Sequence, residues 1–66
     1  VDPITRAAYL NLEALTLSGL DLDTFVERLK REMSCEAVRR AGGKSQAARI
    51  LGVHRNTVNR HTKETT

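Results

Sequence analysis

Gly52 limits residues 43–63 more than any other feature of the chain. Glycine is a poor helix former and adopts left-handed backbone freely, so it splits a helical run into two short pieces. Before it, Ala47, Ala48 and Leu51 fall inward on a helix expected over Gly43–Leu51. After it, a second helix is expected from about Arg55 to Lys63, with Val58 inward. Ala48 stands four residues ahead of Gly52, small enough to let the two helices cross closely. Val53 and Val58 are expected to anchor the second helix on the first. A β-carbon at position 52 is expected to obstruct the turn.

Once the inward side is fixed, the outward side follows. On the second helix it comprises His54, Arg55, Asn56, Asn59, Arg60 and Lys63. Arg55, near the helix start, suits paired hydrogen bonds to guanine, and Asn56 or Asn59 suits the same to adenine. His54 and Arg60 flank them as further base-edge candidates. Lys44, Ser45, Gln46, Arg49 and Thr57, with Lys63 at the far end, are candidates to hold phosphates. This is the pattern of a helix-turn-helix that lays its second helix in the major groove of DNA.

The charge is lopsided in the same direction. The net charge is +3. Residues 1–41 hold six basic and seven acidic groups, net −1, and residues 42–66 hold five basic groups against Glu64, net +4. Such a field attracts phosphate and weakens with salt. By itself it fits a merely solvated basic face equally well.

The first two-thirds supply two longer helices. Asp2-Pro3 is a good helix start, because Asp caps free amides and Pro fits the first helical position. Ile4, Ala8, Leu12 and Leu15 share one face of a helix running to about Leu15, with Tyr9 beside them. Asp21 caps the next helix, and Leu20 can pack on Phe25 across its first turn. Its apolar stripe is Leu22, Phe25, Val26, Leu29, Met33 and Ala37, extending to Val38. The pairs Glu27–Arg31 and Glu36–Arg40 each help by a few tenths of a kcal/mol, and Glu32–Glu36 opposes them. Gly42-Gly43 ends this helix after about twenty residues, roughly 30 Å. The stripe is more than one short partner can cover, so both the C-terminal helices and a second chain are expected to pack on it. The alternative is a monomeric four-helix cluster.

Composition narrows the field. Sixty-six residues make one domain at most. Chains of this size bury only about 60% of their unfolded surface, which makes a second copy a natural source of core. Cys35 is the single cysteine, so no intrachain disulfide forms; it reads as a small residue on the long helix. No run is apolar enough to span a bilayer. Val1 stands where a starting Met would, so a fragment or processed chain is expected. His54 and His61 have no further metal ligands near them in sequence, so neither metal nor cofactor is expected. Gly42-Gly43-Lys44-Ser45 lacks the earlier glycine and preceding strand of a phosphate loop. No convergent acid, base or nucleophile suggests an enzyme or a small-molecule substrate. The long helix is too short and too abruptly ended for a coiled-coil strand.

From about Leu22 to Lys63 the chain resembles the DNA-binding domain of the Fis family. Members occur as free nucleoid proteins and as the C-terminal domain of NtrC-type, sigma-54-dependent activators. The likeness is carried by the long helix ending in Ala41-Gly42-Gly43, then by Lys44 to Arg49, by Leu51-Gly52-Val53 and by His54-Arg55-Asn56-Thr57-Val58. It implies a homodimer with entwined first and second helices, and Arg55 as the main base reader beside His54, Asn56, Asn59 and Arg60. Three positions depart from the family pattern. Gly43 stands where Asn is common, Thr62 where Leu packs the end of the recognition helix, and Asn59 where a basic residue is frequent.

The expected fold is thus all-α with four helices. Residues 1–41 are expected to form the dimer core, including Leu12, Leu15, Phe25, Val26, Leu29 and Met33. Residues 43–63 form the helix-turn-helix, and 64–66 a tail. The expected function is sequence-specific binding to an inverted repeat of double-stranded DNA, in the bacterial cytoplasm at the nucleoid, as the C-terminal module of a sigma-54-dependent activator. A free Fis-like DNA-bending protein is one alternative; a helical protein-interaction or dimerisation module is the other.

Overall fold

A computed structural model of the chain describes residues 1–63, and side chains through Thr62. The expected tail 64–66 and the Lys63 side chain lie outside the described residues. Four helices follow one another: α1 (Pro3–Ser18), α2 (Leu22–Ala41), α3 (Lys44–Leu51) and α4 (Arg55–Lys63), and the fold is all-α. Among the described residues, no helix is long and apolar enough to cross a membrane.

Local chemistry sets the boundaries. Asp2 Oδ1 accepts a hydrogen bond from the Thr5 amide at 2.7 Å, and Pro3 occupies the first turn of α1. Asp21 caps α2 in the same way, accepting from the Thr24 amide at 3.0 Å and the Thr24 hydroxyl at 2.7 Å. These bonds to the charged form hold the Asp2 and Asp21 carboxyls below their ordinary range; for Asp2 the Thr5 amide is the largest cause, for Asp21 the Thr24 hydroxyl. α1 continues to Ser18, beyond the expected end near Leu15. Its poor helix formers bond back into the helix: Thr16 Oγ1 donates to the Leu12 carbonyl at 2.9 Å and Ser18 Oγ to that of Leu15 at 2.8 Å. Gly19, at φ 73°, then ends it.

Within α2, Glu36 bridges Arg39 and Arg40, the latter at 2.7 Å. These contacts, Arg39 first, bring its carboxyl down to about 2. Glu27 meets Lys30 at 3.6 Å, three residues on. The Gly42 amide reaches back to the Val38 carbonyl at 2.8 Å and closes the helix in a left-handed cap.

α2, α3 and α4 pack on one another pairwise, and α1 joins none of these pairings. The core they enclose is small: Ala37, Ala47, Ala48 and Val58 are buried, with Val38, Ala41 and Leu51 packed around them. Ser34 is buried too, its hydroxyl satisfied by the Lys30 carbonyl at 2.8 Å. The seam of α2 toward the C-terminal helices is therefore Ser34, Ala37, Val38 and Ala41, all small or short. Small residues at a crossing let helix backbones approach, which suits two partners of only eight and nine residues.

The expected apolar stripe divides at this point. Ala37 and Val38 serve the core within the chain. Phe25, Val26 and Leu29 are only half-buried, and Met33 remains 53% exposed and Leu22 61%. On α1, Ile4 is 81% exposed and Leu12 63%, Leu15 is half-buried, and no residue of the helix is buried. The residues assigned to a shared core thus form no core inside a single chain. The end of α1 lies beside the first half of α2, where Ala14, Ser18, Leu20, Phe25 and Leu29 line a shallow groove.

The dimensions reflect this open arrangement. The radius of gyration is 12.8 Å, against about 11 Å for a compact domain of this length. The chain exposes 5311 Å², against about 4,200 Å² for a compact monomer of its mass.

Candidate nucleic-acid interface

The turn between α3 and α4 is locked by backbone bonds. The Val53 amide donates to the Ala48 carbonyl at 3.0 Å, and the Gly52 amide to that of Arg49 at 3.3 Å. Together they form the paired closure of a Schellman cap, with Gly52 at φ 71°. A β-carbon on Gly52 would meet no heavy atom within 4 Å. The expected steric obstruction is therefore absent, and glycine is favoured there by the positive φ alone. Val53 is 40% exposed and only edges the contact, whereas Val58 is fully buried and fixes α4 on α3.

His54 starts α4 as a backbone cap. Its carbonyl accepts from the Thr57 amide at 2.9 Å and the Val58 amide at 3.4 Å, and its Nδ1 accepts from the Asn56 amide at 3.0 Å. An accepting Nδ1 leaves the proton of a neutral imidazole on Nε2. His54 was expected among the base readers. The exposed ring keeps only that outer edge for any ligand, since the other serves the helix.

Arg55, Asn56 and Arg60 are exposed along α4, and Asn59 is half-buried between them. Asn56 and Arg60, four apart, share the face opposite Val58, and Arg55 and Asn59, also four apart, share the flank between that face and Val58. Thr57 is half-buried on the flank. Thr62, where the resemblance leads one to expect Leu, turns its hydroxyl onto the Val58 carbonyl at 2.9 Å. On α3, Ser45, Gln46 and Arg49 are exposed and share a face through the same spacing. Residues 42–63 carry no Asp or Glu, so no carboxylate on the two helices opposes an anion.

One contact joins the two sets of candidates. Lys44 Nζ, at the start of α3, donates to Asn59 Oδ1 on α4 at 2.6 Å. Fifteen residues separate them, so no helical periodicity could bring the pair to notice. The buried Ser34 is the other residue the apolar pattern passed over. Its signal is a spacing of small residues, 34, 37 and 41, on the face turned to α3 and α4.

The described residues include no cluster of three or more His, Cys, Asp or Glu able to hold a metal. No family model matches the chain, and no curated protein or solved structure matches it significantly.

Proposed function

We propose that this chain is a sequence-specific DNA-binding module that acts as a homodimer, with α3 and α4 as a helix-turn-helix. The observation that carries the reading is the two-sidedness of α4. Val58 is completely buried against α3, while Asn56 and Arg60 stand exposed on the opposite face and Arg55 is exposed on the flank at the helix start. A nine-residue helix held by one side, with amide and guanidinium groups on the other, fits major-groove dimensions and base-edge chemistry. To the flanking phosphates we assign Ser45, Gln46 and Arg49, which are exposed on α3, together with Lys44, Thr57 and Lys63.

Surface area supports the second copy. The chain exposes about 1,100 Å² more than a compact monomer of its mass. A stable interface takes about 800 Å² from each partner. The exposed Ile4, Leu12, Leu22 and Met33, with the half-buried Leu15, Phe25, Val26 and Leu29, supply an apolar surface for it. Two recognition helices about 34 Å apart would read an inverted repeat.

The biological setting rests on the Fis-family resemblance: the C-terminal domain of a bacterial sigma-54-dependent activator, working in the cytoplasm at the nucleoid, with no enzymatic role of its own. A free DNA-bending protein of the same family is the alternative. A protein-interaction module is the competing class, and the exposed apolar residues of α1 are the observation that favours it.

Selection from random duplexes, followed by binding of Arg55→Ala, tests the reading. The variant should lose about 1–3 kcal/mol on the selected site and relax preference at one base pair. An equal loss on random DNA would remove Arg55 from base reading.

A further inference from the structure

α4 has two flanks as well as an outer face. Asn56 and Arg60 mark the outer face, and Arg55 and Asn59 mark one flank. Thr57 and His61, also four apart, mark the other, and both are half-buried. An α-helix with its side chains is about 10–12 Å across, and the major groove is about 12 Å wide. A helix lying there with its outer face to the bases turns its two flanks to the two phosphate strands. On the first flank a lysine from another helix is in place: Lys44 of α3 donates to Asn59 at 2.6 Å. The second flank has one too. Lys30 of α2 lines a notch of about 310 Å³ together with Thr57, Arg60 and His61, and Met33 and Val53 give it an apolar wall. Among the described residues, no carboxylate lines this notch.

We infer that Lys30, on the long helix outside the helix-turn-helix, contacts DNA: with Thr57 and His61 it holds a backbone phosphate on the second flank of α4. The inference rests on the DNA-binding reading above, and it gives α2 a contact with the duplex besides its part in the fold. The Lys30 ammonium brings a full charge and three donors, Thr57 a hydroxyl and His61 a ring N–H. The Lys30 side chain is 56% exposed and meets Glu27 at 3.6 Å, too long for a hydrogen bond. Exposed pairs of this kind are weak and screened by salt, so a phosphate can take the ammonium from Glu27.

The first experiment follows binding of wild type and Lys30→Met to a duplex selected from random sequences, as a function of salt. Each phosphate contact steepens log affinity against log salt by about 0.9. The two Lys30 residues of a dimer thus add about 2 to the slope that contacts on α3 and α4 produce, and Lys30→Met should lose that increment. The loss of affinity should be uniform across base sequences, and Lys30→Arg should restore the slope. An unchanged slope in Lys30→Met overturns the inference.

The second experiment replaces single phosphates of that duplex by neutral methylphosphonate. At one position in each half-site the wild type should lose more affinity than Lys30→Met does. A role for Lys30 only in folding or dimerisation would leave the two proteins equally sensitive at every position, and that result overturns the inference. If Lys30→Met fails to fold by circular dichroism, Glu27→Gln decides. Relieved of the carboxylate, the protein should bind the native duplex about twofold to fivefold more tightly, the worth of an exposed ion pair. The gain should vanish when one particular phosphate per half-site is neutral. No gain, or a gain kept at every position, overturns the inference. All these outcomes leave DNA binding itself intact, whereas failure of the wild type to bind any duplex at low salt overturns both.

Discussion

Replacing Gly52 isolates a single energetic term. The residue sits at φ 71° between α3 and α4, and a β-carbon there would touch nothing within 4 Å. Gly52→Ala therefore adds no clash, only the left-handed penalty of an L-residue, about 1–2 kcal/mol. Part of this is offset because alanine narrows the unfolded ensemble, worth about 0.4–1 kcal/mol. The expected net loss is about 1 kcal/mol, a sizeable part of the roughly 3–10 kcal/mol available to a chain of this length. Gly52→Asn should lose about half as much, because asparagine tolerates the left-handed region through local hydrogen bonds. Urea unfolding at one fixed protein concentration measures both, with fixed concentration needed because a dimer's stability depends on it. At a slope near 1 kcal/mol/M, the Gly52→Ala midpoint should fall by about 1 M, with the slope unchanged. Equal losses for Ala and Asn would refute the backbone explanation. A loss of about 3 kcal/mol or more would refute the open space around the β-carbon, because only a steric term reaches that size.

Leu29→Asp should leave helix content largely intact and yield a monomer by sedimentation, since Leu29 is half-buried and outside the three-helix core; an unchanged dimer would put the interface elsewhere, and an unfolded chain would put Leu29 in the core. Glu36 has its carboxyl lowered from an ordinary 4.5 to about 2, mainly by Arg39 and then Arg40. Its contribution to stability is therefore full above about pH 4.5 and fades as pH falls toward about 2. Thermal melts of Glu36→Gln across this window should show a shallower acid loss than the wild type, with a residue remaining from Asp2 and Asp21, whose carboxyls are also lowered. A wild-type slope retained in Glu36→Gln would mean the bridge to Arg39 and Arg40 does not persist in solution.

The helices were largely legible because their signals are local. Asp2, Asp21, Gly19, Gly42 and Gly52 mark ends through caps and left-handed turns that depend on neighbouring residues. The inward positions of α3 and α4 were legible for a related reason: Ala47, Ala48 and Val58 are the few residues that a short helix pair can bury. The division of α2 was not. Periodicity identifies an apolar stripe, but whether Ala37 or Met33 is buried by the C-terminal helices depends on crossing geometry, and Ser34 at the crossing gives no hydrophobic signal. α1 runs past its expected end near Leu15 to the left-handed Gly19, its last turn including Thr16 and Ser18, whose hydroxyls bond carbonyls one turn back. Two details at the candidate interface were beyond sequence altogether. The Lys44–Asn59 bond spans the turn, and the cap role of His54 depends on a ring orientation that no residue pattern encodes.

DNA recognition by a dimer is tested most directly by duplex affinity as a function of salt. If Lys44, Arg49 and Lys63 of two chains each neutralise a phosphate, log affinity against log salt should have a slope of about −5. Affinity should then fall about a thousandfold between about 50 and 200 mM salt. A flat response over that range, or no binding to any duplex at the lower concentration, would contradict DNA binding and leave the basic face of α3 and α4 without a phosphate partner.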